Sequence, residues 1–204
     1  MKVEIKAFMK PLPMKECIKE AALDAVVDET VRLKGSFVSE LFHPGPWERF
    51  KRCTRPRAEV ELSAGGLFIA RGEDDYLDFA EAILSIGALA RGKFGEAVEL
   101  AELTGTRLRA NPEGDGIKLS FAGFYGLVKV IKGNITFSTD ETTVTIPIDD
   151  FLKAEQRFLD SLAMHLGELF DVCSKHGLER AFVENTRALR FLLKVVGYEN
   201  RMGY

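Results

Sequence analysis

Gly87-Ala-Leu-Ala-Arg-Gly92-Lys93 has the spacing of a phosphate-binding loop. In such a loop glycine amides cradle the phosphates, the lysine reaches them, and a following Ser or Thr holds magnesium. Phe94 stands where that hydroxyl is required. The chemistry also needs a buried strand feeding the loop from a parallel sheet. Residues 76–89 read instead as a helix. Val144–Asp150 could imitate the acidic strand of such an enzyme, yet it closes a run of antiparallel ribbons. The glycines are therefore expected to break a helix or to admit a close neighbour. A nucleotide-binding enzyme built on Gly87–Lys93 ranks last among the functional readings.

Carboxylates pair at Asp74-Asp75 and again at Asp149-Asp150. Adjacent acids can hold a metal or do acid–base work, but each pair also stands where a helix is expected to begin. There a carboxylate caps free amides, worth about 0.5–2 kcal/mol, and faces the positive end of the helix dipole. Capping is the reading adopted. Cys173 and His176 lie one turn apart, with His165 near the same face. The two histidines would stand about 16 Å apart along a helix and cannot share an ion. Cys173 falls on an apolar stripe, as a buried thiol would. His43 and Cys53 could join it only through a contact that sequence does not reveal. The spacing matches no usual zinc pattern, and no serine sits in a GxSxG setting. No catalytic residue, metal ligand or cofactor is assigned, which favours a binder over an enzyme.

The densest local signal is PWERFKRCTRPR, Pro46 to Arg57. Between Arg49 and Arg57 it carries five cations and no acid, with Trp47 and Phe50 interleaved. Arginine and lysine neutralise phosphates, and aromatic faces stack on bases. The candidate nucleic-acid or anion-binding set is Trp47, Arg49, Lys51, Arg52, Arg55 and Arg57. The competing reading is a solvated connector whose charges pair with Glu59, Glu61 or acids of the C-terminal helices, with Trp47 anchoring it. A second surface is the C-terminal helix. Phe191, Leu193 and Val195 lie off its apolar stripe and need a cover, either the sheet or another subunit. They are the candidate contacts of a homo-oligomer.

These residues must be positioned by an α+β fold. Val3, Ile5 and Ala7 alternate with polar residues as in a short strand that Pro11 ends. Residues 14–33 have helical spacing, and 58–62 and 67–71 read as a hairpin around Ala64-Gly65-Gly66. A long helical pattern runs over residues 74–103, and Gly92 predicts a break in it. Strands follow near 106–110, 117–121, 125–132, 135–138 and 142–148. Gly133-Asn134 is the expected two-residue turn. That turn sets Val130, Phe137 and Val144 on one face and Ile135 opposite Ile146. Lys129, Thr136, Ser138, Thr143 and Thr145 take the other face, which lacks the aromatics of a base-stacking platform. Helical stripes at 149–175 and 178–196, separated by Gly177, predict an antiparallel helix pair. The helices beginning at Asp74 and Asp149 also align without gaps, an internal echo. The fold class is thus α+β: an antiparallel meander over about 106–148, flanked by helices. Residues 1–204 form one domain, divisible into 1–105 and 106–204.

Composition narrows the partners. The net charge is -3, so a nucleic-acid surface must be a local patch. Three separated cysteines with no CxxC point to a reducing cytoplasm. No apolar stretch is long enough for a signal core or a membrane span. A single glutamine among many Lys, Arg and Glu suggests a thermophilic source. The leading expectation is a non-catalytic intracellular protein that binds nucleic acid through its basic loop. The alternative is an assembly protein that forms homo-oligomers through its C-terminal helices.

Overall fold

The computed structural model describes residues 1–9 and 55–198. The helix expected over 14–33 lies outside these residues, as do Cys17, His43, Trp47, Arg49, Lys51, Arg52 and Cys53.

Two antiparallel sheets face a buried helix. The first has the order β1 (Val3–Met9), β2 (Arg57–Ala64), β3 (Leu67–Asp75). In β2, Ala58, Val60 and Leu62 point inward while Arg57, Glu59 and Glu61 point out, the period of two that one buried face requires. The chain then forms α1 (Tyr76–Ala90) and α2 (Phe94–Thr104). The second sheet is a five-stranded meander in sequence order: β4 (Asn111–Glu113), β5 (Gly116–Phe121), β6 (Phe124–Ile131), β7 (Asn134–Ser138) and β8 (Thr143–Pro147). Three helices follow: α3 (Ile148–Lys175), α4 (Glu179–Asn185) and α5 (Arg187–Val195).

α1 is apolar nearly all round, and from Tyr76 to Ala88 every residue but Asp78 is buried. Such a helix belongs at the centre of a core. It packs on both sheets and on α2, α3 and α5. Phe79 is the hub, its ring 6.0 Å from Phe121 of the meander and 5.6 Å from Phe158 of α3. Burying each such side chain stabilises by about 1.5–3 kcal/mol. An exposed ion pair gives about 0–1 kcal/mol. The core therefore sets the fold, and the surface charges are left for other work. The sheets meet where the Arg71 amide donates to the Ala122 carbonyl at 3.0 Å.

The expected break at Gly92 is present: α1 stops at Ala90 and α2 begins at Phe94, with Gly92 at φ 68°. The β7–β8 register is as read, with Phe137 opposite Val144 and Ile135 opposite Ile146. The β6–β7 register is shifted by two residues. Ile131 pairs with Asn134, so the turn is Lys132-Gly133, at φ 49° and 79°, and Val130 faces Ile135. A shift of two leaves every side chain on its expected face. Residues 106–110 form no strand; the first strand of the meander is β4. The Arg109 amide is bound by the Glu81 carboxylate instead of a neighbouring strand.

The C-terminal helices fold back on α3. The Phe170 and Phe182 rings lie 5.3 Å apart, and the Tyr198 hydroxyl donates to Asp160. The returning arm is broken at buried Thr186, whose hydroxyl and amide both donate to the Phe182 carbonyl. α4 stays beside α3, while α5 crosses to α1 and α2. Among the described residues no helix is long and apolar enough to cross a membrane.

Candidate functional site

A cleft of about 530 Å³ opens at the N-terminal end of α1. Three segments wall it. α1 supplies Asp78 and Glu81, residues 106–111 supply Arg107 and Arg109, and the α4–α5 junction supplies Glu184, Asn185 and Arg187; Arg55 completes the lining. Each placement has a local cause. Asp75 caps α1, accepting the Leu77 and Asp78 amides at 2.9 and 3.2 Å. Leu108 and Ala110 are buried, which turns Arg107 and Arg109 outward. The break at Thr186 brings Arg187 to the rim.

Ion pairs organise the floor. Asp78 stands between two guanidiniums, one oxygen 2.8 Å from Arg55 Nη1 and the other 2.7 Å from Arg109 Nη1. Arg55 Nε also donates to Asn185 at 3.2 Å, tying the α4 end to α1. Arg109 reaches Asp74 at 3.2 Å and donates Nε–H to the Ser120 carbonyl at 2.8 Å. Asp74 in turn accepts the Ala122 amide at 3.0 Å. Burial pushes the Glu81 carboxyl above its usual 4.5, and burial with Asp78 nearby raises Asp75. Arg187 pairs with Glu184 at 2.6 Å. Arg107 is exposed and has no ion-pair partner among the described residues. Among the described residues the lining holds four arginines against three acids, a small positive excess in a chain of net charge -3.

Arg109 and Asn111 also line an adjoining hollow of about 280 Å³, shared with Lys118 and Tyr125. It opens on the meander face away from α1. Tyr125 is 61% exposed there, with Lys118 Nζ 5.2 Å from its ring centre.

The glycine-lysine stretch has a packing role. Gly87 lies within α1, and a β-carbon on it would come 1.7 Å from Glu155 Oε1. The absent side chain thus makes room for the carboxylate of α3. Glu155 is fully buried, pairs with Arg91 at 2.7 Å, and leaves Oε1 without a hydrogen-bond partner among the described residues. Burial raises its carboxyl, with Arg91 opposing. The acid pairs divide as well. Asp75 caps its helix, whereas α3 has Pro147 at its cap position with no side-chain cap; Asp149 and Asp150 lie in its first turn, facing the dipole, and Asp150 pairs with the Met1 ammonium at 2.5 Å. Cys173 is buried and its thiol is pushed up to about 12.

Of the basic set, the described residues include Arg55 and Arg57. Arg55 lies in the cleft, and Arg57 stands on the outer face of β2, 3.7 Å from Glu73. Of the candidate oligomer contacts, Leu193 and Val195 are buried in the core, in a helix that packs on α1 and α2. Their cover comes from within the chain, and Phe191 keeps partial exposure. Sequence reasoning missed Arg107, Arg109, Arg187 and Tyr125. The alternation Arg107-Leu-Arg109-Ala carried a signal, but it read as strand periodicity.

What the fold and cleft define is an α+β protein of two antiparallel sheets around a buried helix, with an arginine-walled groove on its surface. No family model, curated protein or solved structure matches the chain.

Proposed function

We propose that this is a non-catalytic binding protein that takes nucleic acid along the cleft and the basic segment leading into it. The position of Arg55 carries the reading. Within PWERFKRCTRPR this residue lines the cleft beside Arg107, Arg109 and Arg187, which links the densest basic stretch of the sequence to the arginines of the cleft. A phosphate chain is the ligand that rewards spaced guanidiniums, because each contact releases counterions. A cytoplasmic location goes with this reading, since the three cysteines are separated and odd in number.

The test is fluorescence anisotropy with labelled oligonucleotides between about 50 and 200 mM salt. Arg107→Glu with Arg187→Glu should weaken binding and flatten the salt slope by about 1.4–1.8, from two lost phosphate contacts. Arg52→Glu should flatten it by about 0.7–0.9 more. Undetectable binding at the lowest salt, or an unchanged slope in the variants, defeats the reading.

A further inference from the structure

We infer that the open face of the five-stranded meander is a single-strand platform, on which an unpaired base stacks against Tyr125 while Lys118 and Lys129 hold the adjoining phosphates. This rests on the proposal that the protein binds nucleic acid, and it names the form of nucleic acid and a second contact surface.

Three observations converge on that face. The first is composition. Strands β5 to β8 contain no acid and two lysines, Lys118 and Lys129. Each lysine is paired with an acid at the β4–β5 end, Lys118 with Glu113 at 3.9 Å and Lys129 with Asp115 at 2.5 Å. The second is the aromatic. Tyr125 shares the solvent side of β6 with Leu127, Lys129 and Ile131, and it is 61% exposed because the phase of the strand gives it no core to enter. An exposed aromatic beside an ammonium suits a base: the ring offers a stacking face and the cation offers charge to the phosphate. The third is continuity. Arg109 and Asn111 line both the cleft and the hollow at Tyr125, and the described lining of the hollow holds no acid, so a strand leaving the arginines has a shared wall to follow to the ring. Lys129 stands four residues from Tyr125 along β6, about 14 Å, which extends the track across the sheet.

Duplex nucleic acid hides its base faces in the stack and cannot use Tyr125 in this way. Single strands expose them. The same surface should therefore discriminate between the two forms through one ring.

The experiment titrates wild type, Tyr125→Ala, Tyr125→Phe, Lys118→Gln/Lys129→Gln and Arg107→Glu/Arg187→Glu against labelled oligo-dT of about 16 nucleotides and against a duplex of equal length. Tyr125→Ala should weaken single-strand binding by about 5- to 150-fold with an unchanged salt slope, and leave duplex binding alone. Tyr125→Phe should keep wild-type affinity. The lysine pair should flatten the single-strand slope by up to about 1.4. Equal single-strand affinity in Tyr125→Ala and wild type, while the arginine variant weakens, overturns the platform and leaves the cleft reading standing. A platform loss equal for duplex and single strand also overturns it. If the wild type binds neither form, both proposals fall together.

Discussion

Replacing Gly87 by alanine tests whether the glycine is there for packing. In an ordinary helix interior the change stabilises by up to about 1 kcal/mol. Here the new methyl would sit 1.7 Å from Glu155 Oε1, 2.6 Å from its Cδ and 2.8 Å from Arg91 Nη1. Those atoms end flexible side chains, but Glu155 is fully buried between α1 and α3, and it moves only by leaving Arg91. Disrupting a buried pair costs about 3–5 kcal/mol. Against the helix gain, Gly87→Ala should destabilise by about 2–4 kcal/mol, which lowers the unfolding midpoint by about 4–16 °C in a chain of this size. Truncating the carboxylate removes the clash. In a Glu155→Ala background the same Gly87→Ala should therefore raise the midpoint. The coupling should lie near the top of the roughly 0.5–3 kcal/mol range for contacting residues. Thermal and urea unfolding of the four proteins in this cycle measure it. A neutral or stabilising Gly87→Ala in the wild-type chain would refute the packing argument, as would the same cost in both backgrounds.

Other consequences follow from buried groups. Glu81 is held above 4.5 by burial, so its folded pKa exceeds the unfolded one. Its contribution to stability is full below the unfolded value and is lost as pH rises through the folded one. Glu81→Gln, which mimics the protonated form, should melt above wild type near neutral pH, with the gap closing below 4.5; a lower neutral midpoint would mean that Arg109 and Arg55 favour the charge more than burial opposes it. Arg109→Lys should cost about 1–3 kcal/mol by urea denaturation, because one ammonium cannot serve Asp74, Asp78 and the Ser120 carbonyl together. With Cys17 and Cys53 changed to serine, the remaining thiol, Cys173, should react with a disulfide reagent only at the rate of unfolding; fast labelling of the native chain would contradict its burial.

The parts legible in the sequence are those governed by local periodicity. The alternation in β2, the apolar runs of α1 and α3, and the break at Gly92 each depend on residues a few positions apart, and each is found in the structure. Faces survived even where register did not, because a type I′ turn over Lys132-Gly133 instead of Gly133-Asn134 moves pairing by an even number. What failed was set by distant partners. Residues 106–110 alternate like a strand, but the Glu81 side chain binds the Arg109 amide from 28 positions away. The off-stripe residues Leu193 and Val195 gave no hint that α5 would leave α3 for α1 and α2, because the arm is interrupted at Thr186, inside what reads as one continuous helical pattern. The cleft was the least readable part. Its arginines come from positions 55, 107, 109 and 187, and no window of sequence contains them all. Tyr125 was implied by the phase that exposes Lys129, yet a face judged from its threonines and lysines hides one ring.

The charges of the cleft have unequal duties. Arg55 and Arg109 are both held by Asp78, and each reaches a further anchor, Asn185 for one and Asp74 with the Ser120 carbonyl for the other. These guanidiniums neutralise acids at the start of a buried helix. Removing either leaves a carboxylate short of its partner, so a loss of binding in such a variant would confound stability with recognition. Arg107 and Arg187 carry no comparable burden: one is exposed without an ion-pair partner among the described residues, and the other holds a neighbouring exposed acid. A surface ion pair of that kind contributes about 0–1 kcal/mol. Replacing these two arginines therefore removes positive potential while leaving the floor intact. The basic segment and the cleft would be a structural connector if binding depended on Arg55 alone, and a recognition surface if it depends on Arg107 and Arg187. The geometry separates those cases because the same cleft contains both kinds of arginine.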